Sequence, residues 1–503
     1  MNATAFLWLV GLPLLASPVV YVLGRLGANQ DPEERCPALA RWLTVLTLLA
    51  TWIPFALAAR AVAEKGKVTF NIETIGLTLD GVSLVLAATV LAVGTGVALH
   101  SVTYMAGEVG EEKYYAMLLA MIGVMIGLGC ANDLFNLWVW FEAMSVSSYL
   151  LVAFYREQPA SLEAGMKYLV QSALGSALVL MGIALVLAQT GTLALDKIRA
   201  GAQAGSPALL AAGALFLIGF GVKVAMVPMH TWLPDAHSQA PSGISAMLSG
   251  VVIEAGLVAL LRGLIPLVGV TPSWGTLLMG FGALNMLYGN LLALKQEQVK
   301  RLLAFSSLSH VGYMLLGLGI SFQVGQSAGA QGAFFHLFNH GLMKGLAFLA
   351  AGALLYALHL AVGSHAPLMI QELNGAAKRY PMPALALSVA VLALGGLPPL
   401  AGFMSKWQIF VAGFTTHNAL IASLVIFAAL NSVLSLAYYA PLVNAVYRKE
   451  PSAAVTRGAV VPDSMVLPLT VLTALIVVLG LWPSLLNWLT EPAGAALVAA
   501  LRG

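Results

Sequence analysis

Residues 336–352 read HLFNHGLMKGLAFLAAG, with His336, His340 and Lys344 four apart in an otherwise apolar run. At 3.6 residues per turn this spacing stacks all three on one helix face. The surroundings decide what that face means. Of 503 residues, 60% are hydrophobic and only 9% charged, whereas a soluble domain carries about 25% charge. Apolar stretches near the ~20 residues that span a bilayer recur from end to end, parted by short polar or Gly/Pro-marked breaks. The helix is therefore expected inside a membrane, where a cation and two imidazoles need partners, water or a purpose.

Apolar runs read against their breaks predict an all-α polytopic membrane protein of fourteen helices, at 6–24, 42–63, 81–103, 113–130, 133–153, 164–189, 207–228, 242–264, 274–294, 300–320, 331–359, 383–411, 418–447 and 463–489. No soluble domain fits between them. The stretch MNATAFLWLVGLPLLASPVVYVLGR lacks the basic flank of a signal peptide and reads as a first span. Loops after odd-numbered helices carry thirteen Lys and Arg, Arg35, Lys300 and Arg301 among them, against seven on the other side, out of 24 in all. This bias places both termini on the non-cytoplasmic side of a cell (inner) membrane. The remaining four, Lys167, Lys223, Lys344 and Lys406, fall within spans, as do Glu142, Glu254 and His310. Cys36 and Cys130 form no metal or disulfide spacing. Net charge of +3 gives no hint of nucleic acid.

Two spans contain helix-breaking chemistry beside one of these lysines. In GFGVKVAMVPMHTWLPDAHSQAPSG, Lys223 precedes Pro228, Pro234 and Pro241; in LALGGLPPLAGFMSKWQIF, Gly395, Gly396, Pro398 and Pro399 precede Lys406. Proline removes an amide donor and clashes with the preceding turn, so helices 7 and 12 should each open into two halves. Paired interruptions five spans apart point to inverted repeats around a midplane site. The expected organisation is residues 1–112 for helices 1–3, 113–264 and 265–450 for two inverted five-helix repeats, and 451–503 for the last helix.

At these residues the chain resembles a known family. KVAMVPMHTWLPDAHSQAPSGISAML, KRLLAFSSLSHVGYMLLG, HLFNHGLMKGLAFLAAG and LGGLPPLAGFMSKWQIF are similar to motifs of the antiporter-like subunits shared by respiratory complex I, Mrp-type sodium/proton antiporters and membrane-bound group-4 hydrogenases. The resemblance runs over helices 4–13. It implies proton translocation along a central polar axis, with roles for Glu142, Lys223, Lys344 and Lys406 and relay positions at His310 and His340. It also shows departures. Glu254 stands where the family often has lysine, and Lys406 where complex I subunits vary between Lys and Glu. The chain is expected to lack room for the long lateral helix of the largest complex I antiporter-like subunit.

A relay needs groups that hold and release protons in a low-dielectric interior, where burial destabilises the charged form of amine and carboxyl alike. Lysine then becomes a switchable carrier, and histidine passes protons between its two nitrogens. The expected relay is Glu142, Lys223, Glu254, His310, His336, His340, Lys344 and Lys406, with Glu142 and Lys223 as an ion pair whose separation pushes a proton onward. Blander roles suit other groups. Lys167 is expected to snorkel to the interface, His230 and His237 to brace opened backbone, Asp133 to cap a helix, and Gly317 and Gly319 to serve close packing. His336 and His340 also have the spacing of metal ligands, but no third ligand in the sequence completes a site.

No catalytic site, cofactor or metal is expected on this chain, which lacks the cysteine clusters that hold iron–sulfur centres. The expected partners are other membrane subunits of a hetero-oligomeric complex, the lipid bilayer, and protons, with sodium as a further ion. Three functions fit: a proton-translocating subunit coupled to a redox module of quinone or hydrogenase type, a subunit of an Mrp-type cation/proton antiporter, or a proton-coupled membrane subunit of an inorganic-carbon uptake complex.

Overall fold

With no water to satisfy backbone amides, an apolar chain in lipid folds as helices whose hydrogen bonds close within each segment, and helices dominate the computed structural model, which describes residues 3–26, 37–72 and 75–502. Arg35 and Cys36, weighed above, lie outside the described residues. The chain begins with α1 (Ala3–Leu26) and α2 (Pro37–Lys65), then a hairpin of β1 (Val68–Ile72) and β2 (Ile75–Leu79). Next come α3 (Gly81–Tyr104), α4 (Glu111–Gly129), α5 (Leu134–Val152), α6 (Pro159–Thr190) and the short α7 (Leu195–Gly201). The middle holds α8 (Pro207–Val224), α9 (Trp232–Gln239), α10 (Ser242–Met247), α11 (Ile253–Leu264), α12 (Trp274–Ala293), α13 (Val299–Val324) and α14 (Ser327–Leu358). The last third is α15 (Pro381–Gly395), α16 (Ala401–Phe414), α17 (Ala419–Val446), α18 (Ala453–Arg457), α19 (Asp463–Leu481) and α20 (Asn487–Arg502).

Among the described residues, 12 helices are long and apolar enough to cross a membrane. The fourteen expected segments are all helical, but two fall outside that set for legible reasons. α5 carries Asn136, Glu142 and three serines in 19 residues, and the expected span at 383–411 is split into α15 and α16, of 15 and 14 residues. The span at 463–489 stops at Leu481; Pro483 follows, and the chain continues as the separate α20. The antiparallel hairpin, registered Val68 against Leu79, is an addition to the all-α reading. It lies on the α4–α5 connection, where the Thr78 amide donates to the Cys130 carbonyl at 2.6 Å.

Burial sorts the helices into shells. The best spanning windows of the α10–α11 segment and α13 are 100% buried and that of α3 is 83% buried, whereas those of α1 and α17 are only 28% buried. Polar side chains on the inner helices are therefore held away from lipid on every side. An ion pair ties this centre together: Asp80, which caps the α3 N-terminus through the Ser83 amide, meets Arg262 of α11 at 2.8 Å, and Arg262 also donates to the Gly129 carbonyl at the end of α4.

Both expected breaks are present, and protein groups satisfy their opened backbone. α8 ends at Val224, where Ala225 turns left-handed at φ 57. The side-chain amide of Asn285 on α12 accepts from the Val227 amide at 2.8 Å and donates to the Ala225 carbonyl at 3.3 Å, and the Trp232 indole donates to the Val222 carbonyl at 2.7 Å. Pro228 lies in this turn. Pro234 does not break a helix: it sits in the first turn of α9, where no intrahelical donor is lost, and Pro241 separates α9 from α10. The second break runs from Gly396, at φ 82, through Pro398 and Pro399 to Leu400. The Val227-Pro228 and Pro398-Pro399 bonds are both cis.

Candidate functional site: a buried line of Glu, His and Lys

The centre of the line depends on two glycines. A Cβ on Gly250 would stand 2.9 Å from the Gly341 carbonyl oxygen, and one on Gly341 would stand 2.8 Å from that of Gly250, closer than ordinary packing allows. This approach draws α14 against the π-helical turn Leu248–Val252 that leads into α11. Glu254 and His340 consequently meet, with Oε1 and Nδ1 2.9 Å apart and both side chains 0% exposed.

From that pair the ionisable groups follow in sequence through three further contacts. The His340 ring centroid lies 5.1 Å from that of His310 on α13. His310 Nδ1 shares a hydrogen bond with His336 Nε2 at 3.0 Å, the two rings stacked within 17° of parallel. His336 Nδ1 in turn lies 2.9 Å from the Ser405 hydroxyl, next to Lys406 on α16. Lys406 Nζ donates to the Leu394 carbonyl at 2.8 Å, one of those left free where α15 ends, and to Ser432 at 2.9 Å. It also lies 4.5 Å from the centroid of the Tyr313 ring, a cation–π distance. Lys344, one turn beyond His340, donates to the Leu303 carbonyl at 2.7 Å and to Ser306.

Lys223 occupies the last turn of α8, at the first break. Its ammonium donates to the Tyr168 hydroxyl at 2.9 Å and to Ser172 at 3.2 Å, and Tyr168 stacks on Trp232 with centroids 3.9 Å apart. On the other side its aliphatic stem packs on Gly256, two residues from Glu254, where a Cβ would stand 3.1 Å from the lysine's own Cβ and Cγ. The expected Glu142–Lys223 ion pair is absent among the described residues. Glu142 is only half-buried on α5 and its Oε1 has no hydrogen-bond partner, although the ring of its neighbour Phe141 lies 5.8 Å from the Lys223 ammonium. The reason is local: Tyr168 and Ser172, four apart on α6, reach the lysine first.

The structure thus brings His310, His336, His340, Glu254, Lys344 and Lys406 together, sets Lys223 against the same α11, and leaves Glu142 at the margin. No ion pair involves Lys223, Lys344 or Lys406 among the described residues. Ammonium groups dissolved only by neutral oxygens are costly to keep charged in a dry interior. Glu254 Oε2 and His340 Nε2 also lack partners.

Residues that sequence reasoning missed are the hydroxyls: Tyr168, Ser172, Ser306, Tyr313, Ser405 and Ser432. The i, i+4 pair Tyr168/Ser172 and the Ser405–Lys406 doublet were available signals. The expectation that His237 braces opened backbone fails, because both its ring nitrogens are buried without a hydrogen-bond partner, whereas other blander assignments agree with the structure. Lys167 is 48% exposed and pairs with Glu163 and Asp235; Asp133 caps α5 through the Asn136 amide at 2.7 Å; Gly317 and Gly319 meet the Gly329 and Gly275 carbonyls, where a Cβ would stand at 2.8 Å.

Residues 131–432 match the family profile described as NADH:quinone oxidoreductase/Mrp antiporter, TM. Over 482 residues the chain is 33% identical to F(420)H(2) dehydrogenase subunit N of Methanosarcina mazei, covering 94% of each protein. It superposes with a TM-score of 0.85 at 28% identity on a chain of an archaeal membrane-bound sulfane sulfur reductase, over 99% of each. A chain of respiratory complex I from Thermus thermophilus superposes at 0.76 with 27% identity, over 95% of this chain and 98% of that one.

Proposed function

This chain belongs to the NADH:quinone oxidoreductase/Mrp antiporter membrane family, and on that premise we propose that it moves protons along the line Lys223, Glu254, His340, His310, His336, Lys406, with Lys344 as a side station. It is an antiporter-like membrane subunit with buried lysine, histidine and glutamate side chains. The observation that carries the proposal is the succession from Glu254 through His340, His310 and His336 to Ser405, each step a hydrogen bond or a ring contact, with Lys406 the next residue along α16 and every side chain within 2% of full burial. The proton-accepting atoms along it are the lysine amines, imidazole nitrogens and the carboxylate. Tyr168 and the serines hold them in place and bridge gaps by rotating hydroxyls. Ordered water beside Glu254 Oε2 and His340 Nε2 would complete the contacts.

Driving force enters as electrostatics. When Glu142 or a neighbouring subunit's charge moves, the ammonium of Lys223 loses attraction and passes its proton toward Glu254. Moving one proton against 100 mV takes ~2.3 kcal/mol, within the range of a single rearranged buried charge. The complex is proposed to be redox-coupled, with electron carriers on other chains. Residues 113–264 and 265–450 are proposed as inverted repeats, supported by the break that follows Lys223 and the one that precedes Lys406. The cell membrane with both termini outside is proposed from the basic-residue bias.

The test is proton flux. The native complex, purified through a tag on this chain and reconstituted with an internal pH dye, is energised by an imposed potassium diffusion potential. Wild type should acidify or alkalinise the lumen according to the sign of the potential, and Lys223→Ala should fall to the leak of empty liposomes. Wild-type flux in an assembled Lys223→Ala complex would discard the relay; added sodium that replaces protons in the flux would discard the ion assignment.

A further inference from the structure

Two asparagines of α12 are fully buried, and each pins a different neighbour. Asn285 lies on the face that meets α13, between Gly282 and Gly289, where a Cβ would stand 2.8 Å from the Gly312 carbonyl oxygen and 2.7 Å from the Ser309 nitrogen respectively. Contacts that tight lock α12 and α13 into one body. Besides bonding Ala225 and Val227 in the first break, the Asn285 amide reaches the Leu308 carbonyl at 3.4 Å, just before His310 on α13.

Asn290 comes five residues later, about 140° round the helix and about 7.5 Å along it, and faces α17. Its amide donates to the Asn431 backbone carbonyl at 2.9 Å and to the Asn431 side-chain oxygen at 3.1 Å, and its own oxygen accepts from the Tyr438 hydroxyl at 2.9 Å. The next residue of α17 is Ser432, whose hydroxyl donates to the Gly395 carbonyl at 3.1 Å in the second break and accepts from Lys406. A side-chain amide is not a proton carrier, so neither asparagine is a station of the relay. Burying one in a membrane protein is costly unless its bonds are made, and here they are made to both broken segments or to the helix that holds one of them.

We infer that Asn285 and Asn290 are positioning residues that make α12 a tie between the two breaks, so that a change at Lys406 alters the backbone that follows Lys223. The path is continuous. It runs from Lys406 to Ser432, across one peptide bond to Asn431, over to Asn290, along α12 to Asn285, and on to Ala225 and Val227. When the Lys406 ammonium lets go of the Leu394 carbonyl and Ser432, the end of α15 loosens and α17 shifts its hold on α12. Packed helices slide as units and do not bend continuously, so the shift reaches the far break as a small rigid-body step.

This inference rests on the relay reading for its purpose, but its test needs no proton flux. Amide hydrogen exchange is followed by mass spectrometry in the purified native complex, over peptides covering residues 222–231 and 392–401, after assembly is verified by size and subunit content. Lys406→Met should speed exchange in both peptides, the distant 222–231 by roughly threefold, the weight of one interhelical hydrogen bond in a bilayer. Asn290→Leu keeps the γ-branched shape without the hydrogen bonds. In that background Lys406→Met should still act on 392–401 and no longer on 222–231. Ser432→Ala, a smaller change, should uncouple the two peptides in the same way and replaces Asn290→Leu if that variant fails to assemble. Asparagines that merely held their own neighbours would give local, additive changes. Exchange at 222–231 that ignores Lys406→Met, or that responds to it equally in the Asn290→Leu or Ser432→Ala background, overturns the tie. Wild-type flux in Lys223→Ala discards the relay, and the exchange result still decides the tie.

Discussion

Gly341→Ala perturbs the centre of the site directly because it adds one methyl group where two backbones touch. The new Cβ would stand 2.4 Å from Thr89 Cγ2 and 2.8 Å from the Gly250 carbonyl oxygen. Ordinary carbon contacts lie at about 3.5–4.0 Å, so relief requires α14 to move by about 1 Å away from α3 and the π-helical turn. His340 is the adjacent residue, and its 2.9 Å bond to Glu254 would then open to about 3.9 Å, outside hydrogen-bonding range. Overpacking of a filled core costs about 1–3 kcal/mol, and a buried polar pair left unmade costs about 1–3 kcal/mol more. The assay is thermal unfolding of the assembled complex in detergent, paired with proton flux after reconstitution. Gly341→Ala should lower the transition temperature and cut flux. Thr89→Ala, which removes the Cγ2 atom, should be mild alone and should partly restore both in combination, so the double-mutant cycle shows coupling. Wild-type stability and flux in Gly341→Ala, or strict additivity with Thr89→Ala, would refute the reasoning.

Two further perturbations probe the frame around the line. Asp80→Ala removes the cap of α3 and strands Arg262, a group with little access to water; breaking a buried pair by losing one partner costs about 3–5 kcal/mol, so poor assembly in membranes is expected, read as complex recovered per cell, and normal recovery counts against it. Lys406→Met keeps an unbranched chain of similar length but leaves the Leu394 carbonyl and the Ser432 hydroxyl without their ammonium partner; a buried carbonyl left unmade costs about 1–3 kcal/mol, so a lower transition temperature is expected together with loss of flux, and Lys406→Arg should recover the first but not the second.

How much of this was legible in the sequence depended on whether a feature is local. The stacking of His336, His340 and Lys344 follows from helical period alone, and it holds. The break after Lys223 was marked by proline density and the one before Lys406 by the glycine and proline cluster, although Pro234 proved compatible with a helix N-terminus. Features that depend on which helix lies beside which were not legible. Nothing in the chain says that Tyr168 and Ser172 reach Lys223 ahead of Glu142, or that His340 faces Glu254, because those contacts join helices 55 and 86 residues apart in sequence. Lys300 was misplaced for a similar reason. In QEQVKR it reads as a loop charge beside Arg301, and only the packing of the α9–α10 turn over the start of α13 buries it. The hairpin at 68–79 was another local signal passed over, in a run that alternates polar and apolar residues.

The central claim is that buried groups change protonation as the complex works, and Glu254 tests it most directly because it is the one carboxyl in the line. The measurement is the infrared difference spectrum of the reconstituted complex with and without an imposed membrane potential, in wild type and in Glu254→Gln, which keeps a hydrogen-bonding group toward His340 but cannot take up a proton. The account predicts a protonated-carboxyl stretching band that changes with the potential in wild type and is missing, along with proton flux, from Glu254→Gln. A spectrum identical in the two proteins, with flux intact in Glu254→Gln, contradicts it.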